Sequence, residues 1–175
     1  MRAAPAHIAL RPFTATALAT VRPWFDDAET SRWLGGRDWP ENLLRLVAAR
    51  PSEHRGSVVR ERLGLIASFG RRDVALIDAE VYTDDSAAIA LVVAPRWRRR
   101  GVGAATLVAV GAYLARTHGV LRLVGGVEQR NTASARCALT AGFVPSGDVP
   151  DQEGFVDYVL WLGRPHGFDI STTKQ

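Results

Sequence analysis

Leu91-Val92-Val93-Ala94-Pro95-Arg96-Trp97-Arg98-Arg99-Arg100-Gly101-Val102-Gly103-Ala104 is the stretch on which the fold turns. It begins as a buried strand. The apolar, β-branched run ends at Pro95, which has no N–H to give a central ladder. Three consecutive arginines follow, then two glycines spaced by one residue, then helix formers from Ala104 to Arg116. Gly101 and Gly103 allow a turn and a close backbone approach that a Cβ would block. The first N–H groups of a helix lack partners within it, and the helix dipole favours an anion beside them. Arginine adds fixed charge and forked donors suited to phosphate. Strand, arginines, glycine turn and helix in this order make a diphosphate site.

Two common phosphate loops fit poorly. A nucleotide-hydrolysing loop needs G-x-x-x-x-G-K-[ST], and neither Lys nor Ser or Thr follows Gly103. A dinucleotide fingerprint needs G-x-G-x-x-G, and Gly101-Val102-Gly103-Ala104-Ala105-Thr106 lacks the third glycine. A tight turn with merely solvated arginines is the plain alternative.

The segment resembles motif A of the GNAT superfamily, the acyl-CoA-dependent N-acyltransferases, which runs V-x-P-x-x-[QR]-x-x-G-x-[GA]. Val93, Pro95, Arg98, Gly101 and Gly103 match it position by position. Downstream, Asn131-Thr132-Ala133-Ser134-Ala135-Arg136-Cys137-Ala138-Leu139-Thr140-Ala141-Gly142-Phe143 is similar to motif B, an Asn opening a helix that closes in Gly-Phe. The resemblance covers residues 63–162 well and the N-terminal third loosely. It implies acetyl-CoA (coenzyme A) as cofactor. It also implies a mixed α/β sheet in which the strand before the glycine turn and the strand after the following helix splay apart to admit it.

Composition fits this reading. The 175 residues suit one domain with a sizeable core. The expected division is a single domain over 1–163 and a loose polar tail over 164–175. The net charge is +4 and the pI about 10, carried almost wholly by arginine. A nucleic-acid binder would rest on that pI alone. Acidic residues are scattered throughout and a diphosphate explains the one dense basic run, so no nucleic-acid partner is expected. Cys137 is the only cysteine, which points to a reducing, cytoplasmic setting. No apolar run approaches the ~18 residues of a membrane span, and the first residues lack the apolar core of a secretory signal. No metal ligands are assigned. A homodimer is left open.

Coarse periodicity places the elements. A strand is expected over 7–13, then a helix capped by Thr14 or Thr16 and broken near Pro23, then a short helix from Pro40 toward Pro51. Strand runs over 57–60, 63–69, 74–82 and 87–94 make an antiparallel meander. A helix over 104–116, a strand over 121–127, a helix over 131–141 and strands at 143–144 and 155–162 complete the chain.

Amide formation from a thioester needs a neutral amine, a stabilised carbonyl oxygen and a tolerated thiolate. In the family a backbone N–H of the splayed strand meets the carbonyl, which here means Leu91, Val92 or Val93. Arg98, Arg99, Arg100, Gly101, Val102, Gly103, Ala104 and Asn131 are the remaining expected cofactor contacts. An alkylamine has a pKa near 10.4, so a base must take a proton. Asp78 and Glu80, two apart on one strand face, and Glu128 are candidates, with Glu80 ranked first and placed in the gap between the splayed strands. Some relatives carry a catalytic Glu where this chain has Gly126. Many protonate the thiolate with a Tyr seven residues after the motif-B Asn, and here that residue is Ala138. Ser134 stands where certain relatives keep a Ser near the sulfur. Cys137 reads as a core thiol, so transfer is expected to be direct. Asp26, Asp27 and Glu29 beside Trp24 and Trp33 would suit a cationic acceptor, or else form an exposed acidic helix turn. The acceptor is an amine on a small molecule, an aminoglycoside-like compound or a peptide N-terminus. The alternative is a CoA-binding regulatory domain with little turnover.

Overall fold

The computed structural model describes residues 7–50, 52–54, 56–147 and 149–163. The expected tail over 164–175 and the first six residues lie outside them. The chain opens with strand β1 (Ala9–Pro12), followed by an irregular helical layer. A 3-10 turn over Ala15–Ala17, helix α1 (Leu18–Val21) and a second 3-10 turn over Arg22–Asp26 stand where one broken helix was expected. Pro23 cannot donate to an i−4 carbonyl, which accounts for the break. Neither threonine side chain caps the segment; the Thr14 and Thr16 hydroxyls bond each other at 2.8 Å. Helix α2 (Ala28–Trp33) is capped by Asp27, whose carboxylate accepts the Thr30 N–H at 2.9 Å. Helix α3 (Trp39–Ala48) starts with Pro40 in its first turn, where a missing N–H costs nothing.

The meander follows. After β2 (Glu53–His54), the expected runs over 57–60 and 63–69 are one continuous strand, β3 (Ser57–Phe69). Register shifts between Val59 and Glu61 and between Ala67 and Ser68 absorb the irregular pattern that suggested two strands. β4 (Arg72–Tyr82) and β5 (Ser86–Val93) complete it. Helix α4 (Val102–His118), strand β6 (Arg122–Glu128), helix α5 (Thr132–Thr140), β7 (Val144–Pro145) and β8 (Phe155–Trp161) finish the described chain. The sheet order is β1-β3-β4-β5-β6-β8-β7, with β2 beside β3. Every pairing is antiparallel except β5 with β6, whose crossover is α4.

That one parallel pairing is short. It holds Ser86 against Arg122, Ala87 against Leu123 and Ala88 against Val124, and then ends. β5 continues to Val93 on β4, and β6 continues to Glu128 on β8. Two strands with different partners diverge, so the splay is present.

Each sheet face has its own helical layer. Ile77, Ala79 and Val81 of β4 pack with Val110 and Leu114 of α4. Ile66, Leu76 and Val92 pack instead with Phe25 and Leu43 from the N-terminal layer. Alternation along β4 therefore puts Asp78 and Glu80 on the N-terminal face, beyond Leu76. No described helix is long and apolar enough to cross a membrane.

The placement of Asp78 and Glu80 corrects an expectation. Both are buried, at 8% and 6% exposure, and neither lines the gap between β5 and β6. Arg62 of β3 lies directly across from Glu80. It donates to Asp78 through Nε at 3.0 Å and Nη2 at 2.5 Å, and its Nη1 lies 2.6 Å from Glu80. Tyr82 donates to Glu80 at 2.9 Å, and the His54 ring contacts the same carboxylate oxygen at 2.7 Å. Register against a basic neighbour on β3 drew the pair together. Burial pushes the Asp78 pKa up, and Arg62 pulls against it. Arg62→Met would strand two buried carboxylates. It is expected to cost about 3–5 kcal/mol of unfolding free energy, read by urea denaturation at pH 7. A loss below ~1 kcal/mol would show that water already solvates the pair.

Candidate active site

The backbone of β5 supplies the first element of the site. Ala94 N–H donates to Val74 O at 2.9 Å, which makes Ala94 and Val74 a hydrogen-bonded pair. Alternation along the ladder then points the N–H groups of Val92 and Ala90 at β4. Those of Ile89, Leu91 and Val93 point the other way: Ile89 meets Val124 at the last rung with β6, and Leu91 and Val93 face the gap that β6 has left. Of the three expected carbonyl contacts, Leu91 and Val93 have N–H groups free to serve, and Val92 is committed to β4. Opposite them, Gly125 and Gly126 leave the β6 wall without side chains, and Glu128 closes its far end.

The glycine turn is the second element. Gly101, at φ 74°, is the N-cap of α4, and no side chain caps that helix. Arg99 also has positive φ, at 57°. The leading N–H groups of Val102, Gly103 and Ala104 face the cleft with no side chain set against them, the arrangement that binds a diphosphate. Gly103 permits a close approach within the protein as well. A Cβ there would lie 2.6 Å from Cys137 Sγ and 3.3 Å from Val93 Cγ2, so the glycine permits α4 to lie against α5 and β5.

Arg98 is differently engaged. Its guanidinium donates to Asp27 at 2.8 Å, to Glu29 at 2.9 Å and to the Thr30 hydroxyl. It is a strap between the turn and α2, leaving Arg99 and Arg100 as the turn's arginines without an acidic partner among the described residues; Arg100 lies over the Trp97 ring. The acidic cluster proposed to attract an amine is correspondingly neutralised, since Asp26 pairs with Arg37. The Thr30 backbone N–H, followed by Arg98, holds the Asp27 pKa below its ordinary value.

Helix α5 forms the third wall. Asn131 caps it, accepting the Ser134 N–H at 3.0 Å, and both residues line the cleft. Cys137 is wedged between the helices, and burial pushes its pKa up to about 11. Ala138 is buried at the position of the missing phenol. Glu128 lines the cleft, half-buried, and its carboxylate has no hydrogen-bond or ion-pair partner among the described residues.

Sequence reasoning missed one polar group. Tyr158 of β8 lines the cleft beside Phe143 and Phe155. The signal was available: alternation over Phe155–Trp161 puts Val156, Tyr158 and Leu160 on one face, and a tyrosine stands on an otherwise apolar stripe. The whole cleft is about 1460 Å³, large enough for an extended ligand.

The sequence matches the acetyltransferase (GNAT) domain family over residues 7–144. The chain belongs to the GNAT acetyltransferase family. Solved structures agree on the GNAT fold. The aminoglycoside acetyltransferase AAC(6')-Ib in complex with coenzyme A superposes with a TM-score of 0.72 at 20% identity, over 89% of this chain and 95% of that one. Spermidine N-acetyltransferase from Vibrio cholerae, in complex with CoA and spermine, gives 0.70 at 12%, over 89% and 95%. Mycobacterium smegmatis RimJ in complex with CoA-disulfide gives 0.70 at 17%, over 90% and 83%. No curated protein sequence matches this GNAT chain significantly.

Two outcomes follow from the walls of the GNAT cleft. Gly103→Ala is expected to destabilise the fold by about 1–3 kcal/mol through overpacking. The double variant with Cys137→Ala should regain most of that, because Sγ is the atom struck; thermal unfolding of the four proteins of the cycle decides it. For the thiol, a raised folded pKa means stability is full below the ordinary value of 9.0 and is lost as pH rises through about 11. The alkaline limb of the stability profile between those values should flatten in Cys137→Ala. An unchanged limb would show that the thiol is not buried as described.

Proposed function

We propose that this GNAT enzyme transfers an acetyl group directly from acetyl-CoA to a primary amine, on a small polyamine, an aminoglycoside-like compound or a peptide N-terminus. The observation that carries the reading is the joining of three features in one cleft. An uncapped α4 N-terminus with Arg99 and Arg100 suits the diphosphate. A row of outward N–H groups on β5 suits an extended amide-bearing arm and the thioester carbonyl. An unpaired carboxylate, Glu128, stands at the far end.

Each part has a stated task. The N–H groups of Val102, Gly103 and Ala104 hold the anion, with charge-assisted contacts from the neighbouring arginines. Leu91 and Val93 N–H are donors fixed before the reaction, where charge develops on the carbonyl oxygen. Asn131 and Ser134 flank the arm from the α5 side. Glu128, alone or through water, takes the proton from the incoming amine. Asp78 and Glu80 hold the β3–β4 face together through Arg62 and are kept out of this role by their own ion pairs. Cys137 forms no acyl-enzyme, since a buried thiol with a raised pKa is a poor nucleophile.

Support for amine acetylation comes from the aminoglycoside and spermidine acetyltransferases among the structural relatives. The test is to supply acetyl-CoA with a panel of polyamines, aminoglycosides and peptides and to follow thiol release. Glu128→Gln is expected to slow the best acceptor about 10²–10⁴-fold with CoA affinity nearly intact. Turnover of the amine at the wild-type rate in that variant would assign the proton to solvent. CoA binding without turnover on any amine would favour a regulatory CoA-binding domain.

A further inference from the structure

The motif-B helix of this chain has no phenol. Ala138 occupies its place, and the leaving thiolate is left without the usual proton donor. The cleft is not without a phenol, however. Tyr158 reaches it from β8, which the familiar motifs do not cover.

The topology brings Tyr158 to the right wall. Tyr158 pairs across the ladder with Gly125 of β6. Gly125 is the first β6 residue past the paired stretch, where a Cβ would still lie 3.5 Å from the Ile89 carbonyl of β5, and it offers no side chain to block the ring. Tyr158 shares its sheet face with Leu160 and packs against the same core as Ala138 and Cys137, so it lies on the α5 side of the sheet. The chain makes the neighbourhood close. Phe143 N–H donates to Ala138 O at 3.0 Å, and two residues later Pro145 of β7 pairs with Tyr158. Glu128 is an even position of β6, and its side chain falls on the opposite, N-terminal face. The Tyr158 hydroxyl makes no hydrogen bond to any described residue, although the ring is largely covered. A hydroxyl held at the cleft wall with no partner among the described residues is available to a ligand atom.

We propose that Tyr158 replaces the missing motif-B phenol as the proton donor to the leaving sulfur. This rests on the acetyl-CoA reading of the cleft. As the amine nitrogen bonds to the thioester carbon, the carbon–sulfur bond breaks and its electron pair stays on sulfur. Tyr158 passes its phenolic proton to that sulfur, and the phenolate recovers a proton from cleft water. The amine's own proton leaves on the other face, toward Glu128. Acid and base thus stand on opposite sides of the sheet, with the reacting carbon in the gap between them.

Tyr158→Phe removes only the hydroxyl, which holds nothing in the described protein, so the variant should fold. Acetyl transfer is expected to slow about 10²-fold, with KM for acetyl-CoA little changed. Binding gives an independent readout. In the wild type, calorimetric affinity for CoA should rise as pH passes the thiol's ordinary value of about 8.5, because the phenol donates to the bound thiolate. Affinity for acetyl-CoA, which has no thiol to titrate, should not. Tyr158→Phe should lose the rise and keep the acetyl-CoA affinity. If the rise persists in Tyr158→Phe, or disappears instead in Ser134→Ala, Tyr158 is not the donor while the cleft reading stands. If the wild type binds neither CoA nor acetyl-CoA, both fall together.

Discussion

Everything in the cleft depends on β5 and β6 ceasing to pair after Ala88 and Val124. A parallel ladder normally uses every N–H and C=O on its facing edges. Here the ladder stops, and Leu91 and Val93 keep their polar groups turned to the gap. An unpaired backbone edge inside a fold is costly unless something satisfies it. The gap is tolerable because it is open to solvent and because each strand keeps a full partner on its outer side, β4 for one and β8 for the other. The same vacancy that would be a flaw in an ordinary sheet leaves oriented backbone donors along the cleft wall.

The two helices behind the gap are matched to that parting. α4 must start close to the end of β5, and Gly103 lets it lie against Val93 and against Cys137 of α5. The reach of Arg98 to Asp27 and Glu29 fastens the turn to the N-terminal layer, so the glycine turn and the outer wall are held by one guanidinium. Fork geometry with two carboxylates is a task for arginine rather than lysine.

Legibility in the sequence followed the physical range of each constraint. The glycine turn, Asn131 as a cap and Gly142 as a helix stop were readable because each is fixed by its own neighbours. The order of strands and helices was readable from period and punctuation. What could not be read was cross-strand register. Asp78 and Glu80 looked like one charged face seeking a substrate, because nothing local says that Arg62, sixteen and eighteen positions earlier, lies beside them. Arg98 looked like a phosphate ligand for the same reason; its acids are about seventy positions away. Tyr158 went unnoticed because the motif that would have pointed to a phenol is on another element.

The Arg62 cluster has a consequence for how this sheet finds its pairing. β3 and β4 are long, and long apolar strands can slide. A slip of one residue would turn Asp78 and Glu80 toward Val110 and Leu114 of α4, burying two carboxylates in hydrocarbon with no arginine in reach. A slip of two would keep the faces but part the acids from Arg62. Only one alignment satisfies all three charges. The cluster therefore selects the register during folding and so fixes, one strand further on, where β5 ends and the gap begins.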